Sequence, residues 1–130
     1  MFEDRKLDHI GIQCTDSEKN AAWFMEKLGF TLMGKFKSSH GDYFTWFVTN
    51  GNVTYEISQK ADLEPCKQGL VNHIALTSED IEADYRYCVE NGYTICTKGI
   101  EAIPSRWEHG CRYFKVVTPG GEQIEFNQNL

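Results

Sequence analysis

The chain has 130 residues, a formal net charge of −6, 41% hydrophobic residues and 25% charged residues. That length suits a single domain, and the composition is typical of a globular protein. The apolar runs are shorter than the about 20 residues of a membrane-spanning helix. The acidic balance argues against nucleic acid or an anionic membrane as a partner. Five cysteines without a CxxC pair, together with a charged first segment, predict reduced thiols and a cytoplasmic location.

The first half of the chain predicts one helix among four strands. In chain order, alternation and apolar spacing predict a strand over 7–14, a helix over 17–28, and strands over 30–37, 43–49 and 52–58. Asp16 or Ser17 is expected to cap the helix, and Gly29 is expected to end it. Asn50-Gly51 predicts a hairpin between the last two strands.

The second half repeats this order. Its predicted elements are a strand over 71–77, a helix over 79–90, and strands near 93–99, 112–118 and 123–127. Ser78 is expected to cap the helix, and Pro119-Gly120-Gly121 forms the last turn. The sequence therefore predicts an α+β fold made of paired β-α-β-β-β modules. We expect one domain over 1–130, with module one at about 6–59, a linker over 60–69 and module two at about 70–128.

Strand alternation places a strong metal-ligand side chain on the polar face of four strands: His9, Glu56, His73 and Glu125. A solvated sheet face is the ordinary explanation for any one of them. The correspondence between the halves favours a site, because each half has a His on its first strand and a Glu on its last. Two imidazoles and two carboxylates suit a divalent first-row metal. Sequence position leaves open whether the four side chains converge.

Several of these segments carry a family resemblance. The openings Leu7-Asp8-His9-Ile10-Gly11-Ile12 and Val71-Asn72-His73-Ile74-Ala75-Leu76 resemble the vicinal oxygen chelate superfamily, as does the ending Pro119-Gly120-Gly121-Glu122-Gln123-Ile124-Glu125-Phe126. This superfamily includes glyoxalase I, methylmalonyl-CoA epimerase, extradiol dioxygenases and the fosfomycin and bleomycin resistance proteins. The resemblance implies that the modules form a cupped, mostly antiparallel sheet around a metal.

Within that superfamily, the ligand set resembles that of glyoxalase I. Glyoxalase I-like members bind metal through His or Gln, Glu, His and Glu, which correspond to His9, Glu56, His73 and Glu125. The resemblance implies one divalent ion per site, with Ni, Co or Zn ahead of Mn or Fe. It also implies a lyase or isomerase that abstracts a proton next to a carbonyl while the metal stabilises an enediolate. Glu125 is the expected base, and Glu56 is expected to take the second proton-transfer step.

The substrate end departs from this pattern. Glutathione-using glyoxalases typically have Arg four residues after the first His and Asn four residues after the first Glu, where this chain has Gln13 and Lys60. Trp107 is a candidate for the mouth of the cup, although a buried Trp anchoring a loop explains it equally well. Arg106 and Arg112 are candidates for an anionic substrate group, although solvated surface charge is the commoner role.

Two other functions stay open. The first is an epimerase or sugar-type isomerase that uses the same metal site. The second is a metal-free protein that binds a small molecule such as an antibiotic, and the four ligands argue against it. For the glyoxalase-like enzyme and for the epimerase or isomerase alike, the expected partner is a small-molecule substrate, and neither nucleic acid nor a membrane is expected. The resemblance further implies a homodimer with the site at or near the interface, each chain supplying two ligands.

Overall fold

The computed structural model describes residues 3–39, 41–63 and 71–130, and the chain divides into two compact units, Met1–Pro65 and Cys66–Leu130. We call these unit one and unit two. Most of the predicted linker, 64–69, lies outside the described residues, as does Cys66. No helix within the described ranges is long and apolar enough to cross a bilayer.

Unit one holds one helix and a four-stranded mixed sheet. Its elements are β1 (Ile10–Cys14), α1 (Ser17–Leu28), β2 (Thr31–Lys37), β3 (Phe44–Thr49) and β4 (Thr54–Gln59). The strand order is β1-β4-β3-β2; β1 runs parallel to β4, and the other pairs are antiparallel. The predicted order of elements is confirmed for this half.

Helix α1 has the predicted bounds because both of its ends carry chemical signals. The Asp16 side chain accepts a hydrogen bond from the Lys19 backbone N–H at 3.0 Å. Gly29 ends the helix at a φ of 69°, a left-handed conformation that glycine adopts without strain. The helix buries Phe24 against Tyr55 of β4, with ring centroids 4.8 Å apart. The core therefore lies on the helix side of the sheet and leaves the other face open.

Unit two repeats this architecture. Its elements are β5 (His73–Thr77), α2 (Ile81–Glu90), β6 (Glu101–Ile103), β7 (Cys111–Val117) and β8 (Gln123–Asn129). The strand order is β5-β8-β7-β6, with β5 parallel to β8. Phe114, Val116 and Ile124 are fully buried under α2. Two four-stranded mixed sheets with two helices confirm the predicted α+β class.

Two local predictions in unit two are wrong. The segment 93–99 forms no strand; only Ile95 bridges to Val116, and the edge strand lies at Glu101–Ile103. The Thr97 hydroxyl donates to the Gly99 carbonyl, and Gly99 has a φ of 70°, so the chain turns after this single bridge and the pairing with β7 goes no further. Helix α2 is capped by Asp80 rather than Ser78, because the Asp80 carboxylate accepts from the Ala83 backbone N–H at 3.1 Å.

Candidate metal centre

The open face of unit one brings His9 and Glu56 together. Glu56 lies on β4, which pairs in parallel with β1, and Gly11 is its register partner. The Glu56 carboxylate lies beside Gly11, where an added Cβ would be 3.5 Å from its Oε1, and it extends towards His9, just before β1. The His9 Nε2 and Glu56 Oε2 atoms are 3.9 Å apart. The Phe47 ring of β3 meets the His9 ring edge-on, at 5.5 Å between centroids.

The residue before His9 fixes the orientation of its imidazole. Nδ1 of His9 lies 2.6 Å from the Asp8 carboxylate. An ionised carboxylate only accepts hydrogen bonds, so Nδ1 carries the proton and donates it. Nε2 is then the nitrogen with a free lone pair, and it faces Glu56. A carboxylate behind a histidine in this way is the usual support for a metal ligand.

Unit two repeats this arrangement with His73 and Glu125. Glu125 of β8 is paired with Ala75, two residues after His73 on β5. The His73 Nε2 and Glu125 Oε1 atoms are 3.5 Å apart. Nδ1 of His73 lies 2.8 Å from Oδ1 of Asn72, an amide oxygen that only accepts. In both units, therefore, the residue before the histidine directs Nε2 towards the glutamate.

The spacing of these atoms fits a metal ion. Two ligand atoms about 2.1 Å from one ion lie roughly 3 to 3.5 Å apart at octahedral or tetrahedral angles. The pair in unit two already has this separation. The pair in unit one is slightly wider, but both its side chains are about one-third exposed (36% and 37%), so small rotations close the gap. No group of three or more His, Cys, Asp or Glu suited to a metal occurs in 3–39, 41–63 or 71–130.

The surroundings of the two pairs differ. Beside His9 and Glu56, Phe47 packs edge-on against Phe36, which is largely exposed, so this side is apolar. The pair in unit two opens on a polar cavity of about 200 Å³, to which Lys115 and Tyr113 of β7 also contribute. The Tyr113 hydroxyl donates to Glu101 at 2.7 Å. This hydrogen bond raises the pKa of Tyr113 and lowers the pKa of Glu101.

The other predicted site residues are scattered. Gln13 is exposed on β1, and Lys60 is exposed just after β4, where its backbone N–H donates to the Cys14 carbonyl. Trp107 is 75% exposed, so it does not anchor its loop from within the core. Arg112 lies on the face of β7 opposite Lys115, and its guanidinium is ion-paired with Glu82 of α2 at 3.0 Å.

Sequence reasoning overlooked four residues at these sites: Asp8, Asn72, Tyr113 and Lys115. Two signals were present. Asp8 and Asn72 occupy the same position in the two repeats, immediately before the histidines. Tyr113 and Lys115 alternate with the buried Phe114 and Val116 along β7, which places them on the same face as Glu125.

A family model covers almost the whole of this repeated fold. The model of the glyoxalase/bleomycin resistance protein/dioxygenase superfamily matches residues 6–126. The chain belongs to this superfamily. YwbC of Bacillus subtilis (strain 168), an uncharacterised protein, is 30% identical over 127 residues, which cover 95% of this chain and 98% of YwbC.

Solved structures show the same superfamily fold. The glyoxalase family protein from Enterococcus faecalis superposes with a TM-score of 0.77 at 21% identity, covering 98% of this chain and 99% of that one. The glyoxalase/bleomycin resistance protein/dioxygenase from Alicyclobacillus acidocaldarius gives a TM-score of 0.72 at 13% identity, covering 100% and 96%. At these identities the likeness concerns the fold alone. The superfamily includes both enzymes and resistance proteins, so membership does not identify a reaction. A function has to be argued from the residues of the site.

Proposed function

We propose that this protein is a metal-dependent lyase or isomerase of the glyoxalase I type, acting by proton transfer next to a carbonyl. The observation that carries the proposal is the repetition of one arrangement in both units. Each unit sets a His Nε2 opposite a Glu carboxylate, at 3.9 Å and 3.5 Å, and each supports Nδ1 with the preceding side chain. A merely solvated sheet face gives no reason for this correspondence.

The ligand set in this proposal is His9, Glu56, His73 and Glu125, and it holds one divalent ion. Imidazole and carboxylate donors together suit Ni, Co or Zn, and also Mn or Fe. Such an ion supplies Lewis acidity, which stabilises negative charge as it develops on a substrate oxygen. His9 and His73 act as neutral ligands, since their Nδ1 protons are held by Asp8 and Asn72.

Glu125 is the proposed base. Its side chain is 14% exposed, against 37% for Glu56, so water competes less for its carboxylate oxygens. In the first step, a Glu125 oxygen takes the proton from the carbon next to the carbonyl, and the electron pair of the C–H bond moves towards the carbonyl oxygen. Glu56 then takes the proton of the hydroxyl group on the first carbon, which becomes a carbonyl, and delivers a proton to the neighbouring carbon, while the proton held by Glu125 passes to the former carbonyl oxygen. The net reaction moves hydrogen between adjacent carbons without an external oxidant.

The test is turnover of the hemithioacetal of methylglyoxal and glutathione by the metal-loaded protein. Glu125→Gln keeps the size of the side chain but removes the base, so we expect turnover to fall by about a hundredfold or more. Glu82→Gln is the matched control. Glu82 lies on helix α2, where it pairs with Arg112 of β7 on the face opposite Lys115. Equal turnover of wild type and Glu125→Gln would contradict the proposed base.

An epimerase or sugar-type isomerase that uses the same metal site is the second candidate. It is favoured by Gln13 and Lys60, which stand where glutathione-using members have Arg and Asn. Lys60 also offers a point charge rather than a planar fork for a carboxylate. A protein that binds its metal but leaves the hemithioacetal unchanged would favour this candidate. A protein that binds no divalent metal at all would favour a metal-free binder of small molecules.

We also propose a cytoplasmic homodimer, with the metal site at or near the interface and a small-molecule substrate as its ligand. Each unit supplies two ligands, so a four-ligand site needs two units. The resemblance to glyoxalase-like dimers favours units from two different chains. Sedimentation equilibrium of the metal-loaded protein tests the dimer. Full activity from a strictly monomeric species would contradict it.

A further inference from the structure

The cavity beside His73 and Glu125 is built within unit two alone. It has a volume of about 200 Å³, and its remaining lining includes Arg106 and Lys115. Pockets that enclose a drug-sized ligand measure about 300 to 1,000 Å³. This cavity is therefore suited to a small molecule, or to one compact group of a larger one.

Neither cation on this cavity forms an ion pair with a residue in 3–39, 41–63 or 71–130. Lys115 is the register partner of Glu125 across β7 and β8, yet no carboxylate lies within ion-pair distance of its Nζ among the described residues. The ammonium group makes a long hydrogen bond, 3.4 Å to Oδ1 of Asn72, and lies 5.9 Å from the centroid of the Tyr113 ring. The Arg106 guanidinium has neither a hydrogen bond nor an ion pair within the part of the chain that the structure describes. Glu101, the other acid near Lys115, is occupied by the Tyr113 hydroxyl.

Arg112 shows that this lack of partners is local. It lies on the same strand as Lys115 but faces α2, where Glu82 compensates its charge at 3.0 Å. Unit two thus places two cations without a close ion pair at the cavity, where, of the residues that the structure describes, Glu125 is the one carboxylate in the lining. Arg106 is exposed and Lys115 is half-buried. Since a cation gains more from a charged hydrogen-bond acceptor than from a neutral one, the expected ligand is an anion.

We propose that this cavity is a subsite for a compact oxyanion, a carboxylate or a phosphate, held by Lys115 and Arg106. The inference rests on the proposed function and deepens it: the substrate would be a small oxo or hydroxy compound with an anionic end. Lys115 supplies a point charge and Arg106 a planar fork, a combination that serves both phosphate and carboxylate. With the anionic end held here, the reacting carbons lie beside His73 and Glu125.

The test is calorimetric titration of the full-length protein with inorganic phosphate and, separately, with malonate. The protein is first freed of metal on a chelating resin, because a soluble chelator would itself compete as an anion. Lys115→Met and Arg106→Gln each remove one cation from the cavity, and we expect each to weaken binding by tenfold or more. Arg112→Gln changes the net charge equally but on the helix side, and we expect binding within twofold of wild type.

The two probes identify the source of the oxyanion, since tighter binding of one assigns the subsite to phosphate or to carboxylate ends. Equal loss in all three variants would overturn the proposal, because the effect would then be one of overall charge. Absence of binding to the wild type would overturn it as well. Nickel titration of the same samples separates the two ideas: failed anion binding with intact metal binding sinks only the subsite. Failed metal binding with intact anion binding sinks only the proposed function.

Discussion

The side chain before each histidine determines which imidazole nitrogen is available. Asp8 offers a charged acceptor to His9, at 2.6 Å, and Asn72 offers a neutral one to His73, at 2.8 Å. A charged acceptor forms the stronger hydrogen bond and makes the opposite nitrogen a better electron donor. The two histidines are therefore related in geometry but unequal in their support, and in the proposed metal site we expect His9 to be the stronger ligand.

Replacing Asp8 by Ala should weaken metal binding while leaving the fold intact. Loss of such a support typically lowers metal affinity about 10- to 100-fold, and the exposure of Asp8 (94%) favours the lower end. Nickel affinity measured by calorimetry checks this, with Asp62→Ala as a control that removes an equal, exposed charge. Equal affinities for wild type and Asp8→Ala would show that Asp8 does not support His9.

Residue-level chemistry was only partly predictable from the sequence. Alternation identifies Glu56 and Glu125, because a strand of period two fixes the face on which a side chain lies. It does not show that Arg112 pairs with Glu82 while Arg106 reaches the cavity. That distinction depends on packing between elements distant in sequence and on the path of an irregular loop.

At the scale of elements, the loop over 104–110 has a constrained base. Gly110 has a φ of 87°, and a Cβ added there would lie 3.0 Å from Cα of Pro104 and 3.1 Å from the Ile103 carbonyl oxygen. Trp107, at a φ of 53°, also occupies the left-handed region, which is uncommon for a bulky residue. This backbone holds Arg106 where it borders the cavity.

Gly110→Ala should therefore lower the free energy of unfolding by about 1 to 3 kcal/mol and weaken anion binding. Gly51→Ala is the matched control: Gly51 has a φ of 93° but no atom within 4 Å of an added Cβ. It carries the backbone strain without the close approach, so its loss should be the smaller one. Urea unfolding measures both variants. A smaller loss for Gly110→Ala than for Gly51→Ala would contradict a tightly closed loop base.

The thiol of Cys88, on helix α2, predicts how the stability of the protein changes at alkaline pH. Burial, with a further contribution from Asp84, raises the pKa of the Cys88 thiol from 9.0 to about 11. The folded state therefore favours the protonated thiol, so stability is retained below about pH 9 and falls as the pH rises from 9 to about 11. Urea unfolding of wild type and Cys88→Ala between pH 8 and 10.5 tests this. The variant should be less stable at pH 8 but lose less with pH, and identical slopes would contradict the role of Cys88.

Elements were predictable where chemical signals mark both ends. Asp16 and Gly29 delimit α1, so its bounds follow from the sequence alone. The segment 93–99 has an alternating pattern, but Thr97 and Gly99 turn the chain, and local side-chain hydrogen bonding overrides the pattern. Periodicity indicates that a segment is suited to a strand, but a turn inside the segment limits its pairing, here to the bridge between Ile95 and Val116.

At the scale of the whole molecule, the repeat divides the proposed metal site equally. Each unit supplies one imidazole and one carboxylate, and neither supplies a full ligand set. The surroundings of the two pairs are unlike, apolar beside Phe47 in unit one and cationic beside Lys115 in unit two. Each of the two units therefore carries half of the proposed ligand set.

Mixing two inactive variants tests how the half-sites combine. If two chains share each site, a heterodimer of His9→Ala and His73→Ala contains one site with both losses and one intact site. Activity should then return to about a quarter of wild type after random exchange of equal amounts, because half of the dimers are mixed and each has one working site. No recovery after demonstrated exchange would instead place all four ligands in one chain.

Whether both units contribute to one metal site is tested most directly by the equilibrium affinity of the metal-stripped protein for nickel. We expect one ion per chain in the wild type, and a loss of at least tenfold in affinity for His9→Ala and for His73→Ala alike. His109→Ala should bind as the wild type does, because His109 is exposed and its ring contacts only Glu108 within the described residues. Wild-type affinity in either His9→Ala or His73→Ala would contradict a metal site built from both units.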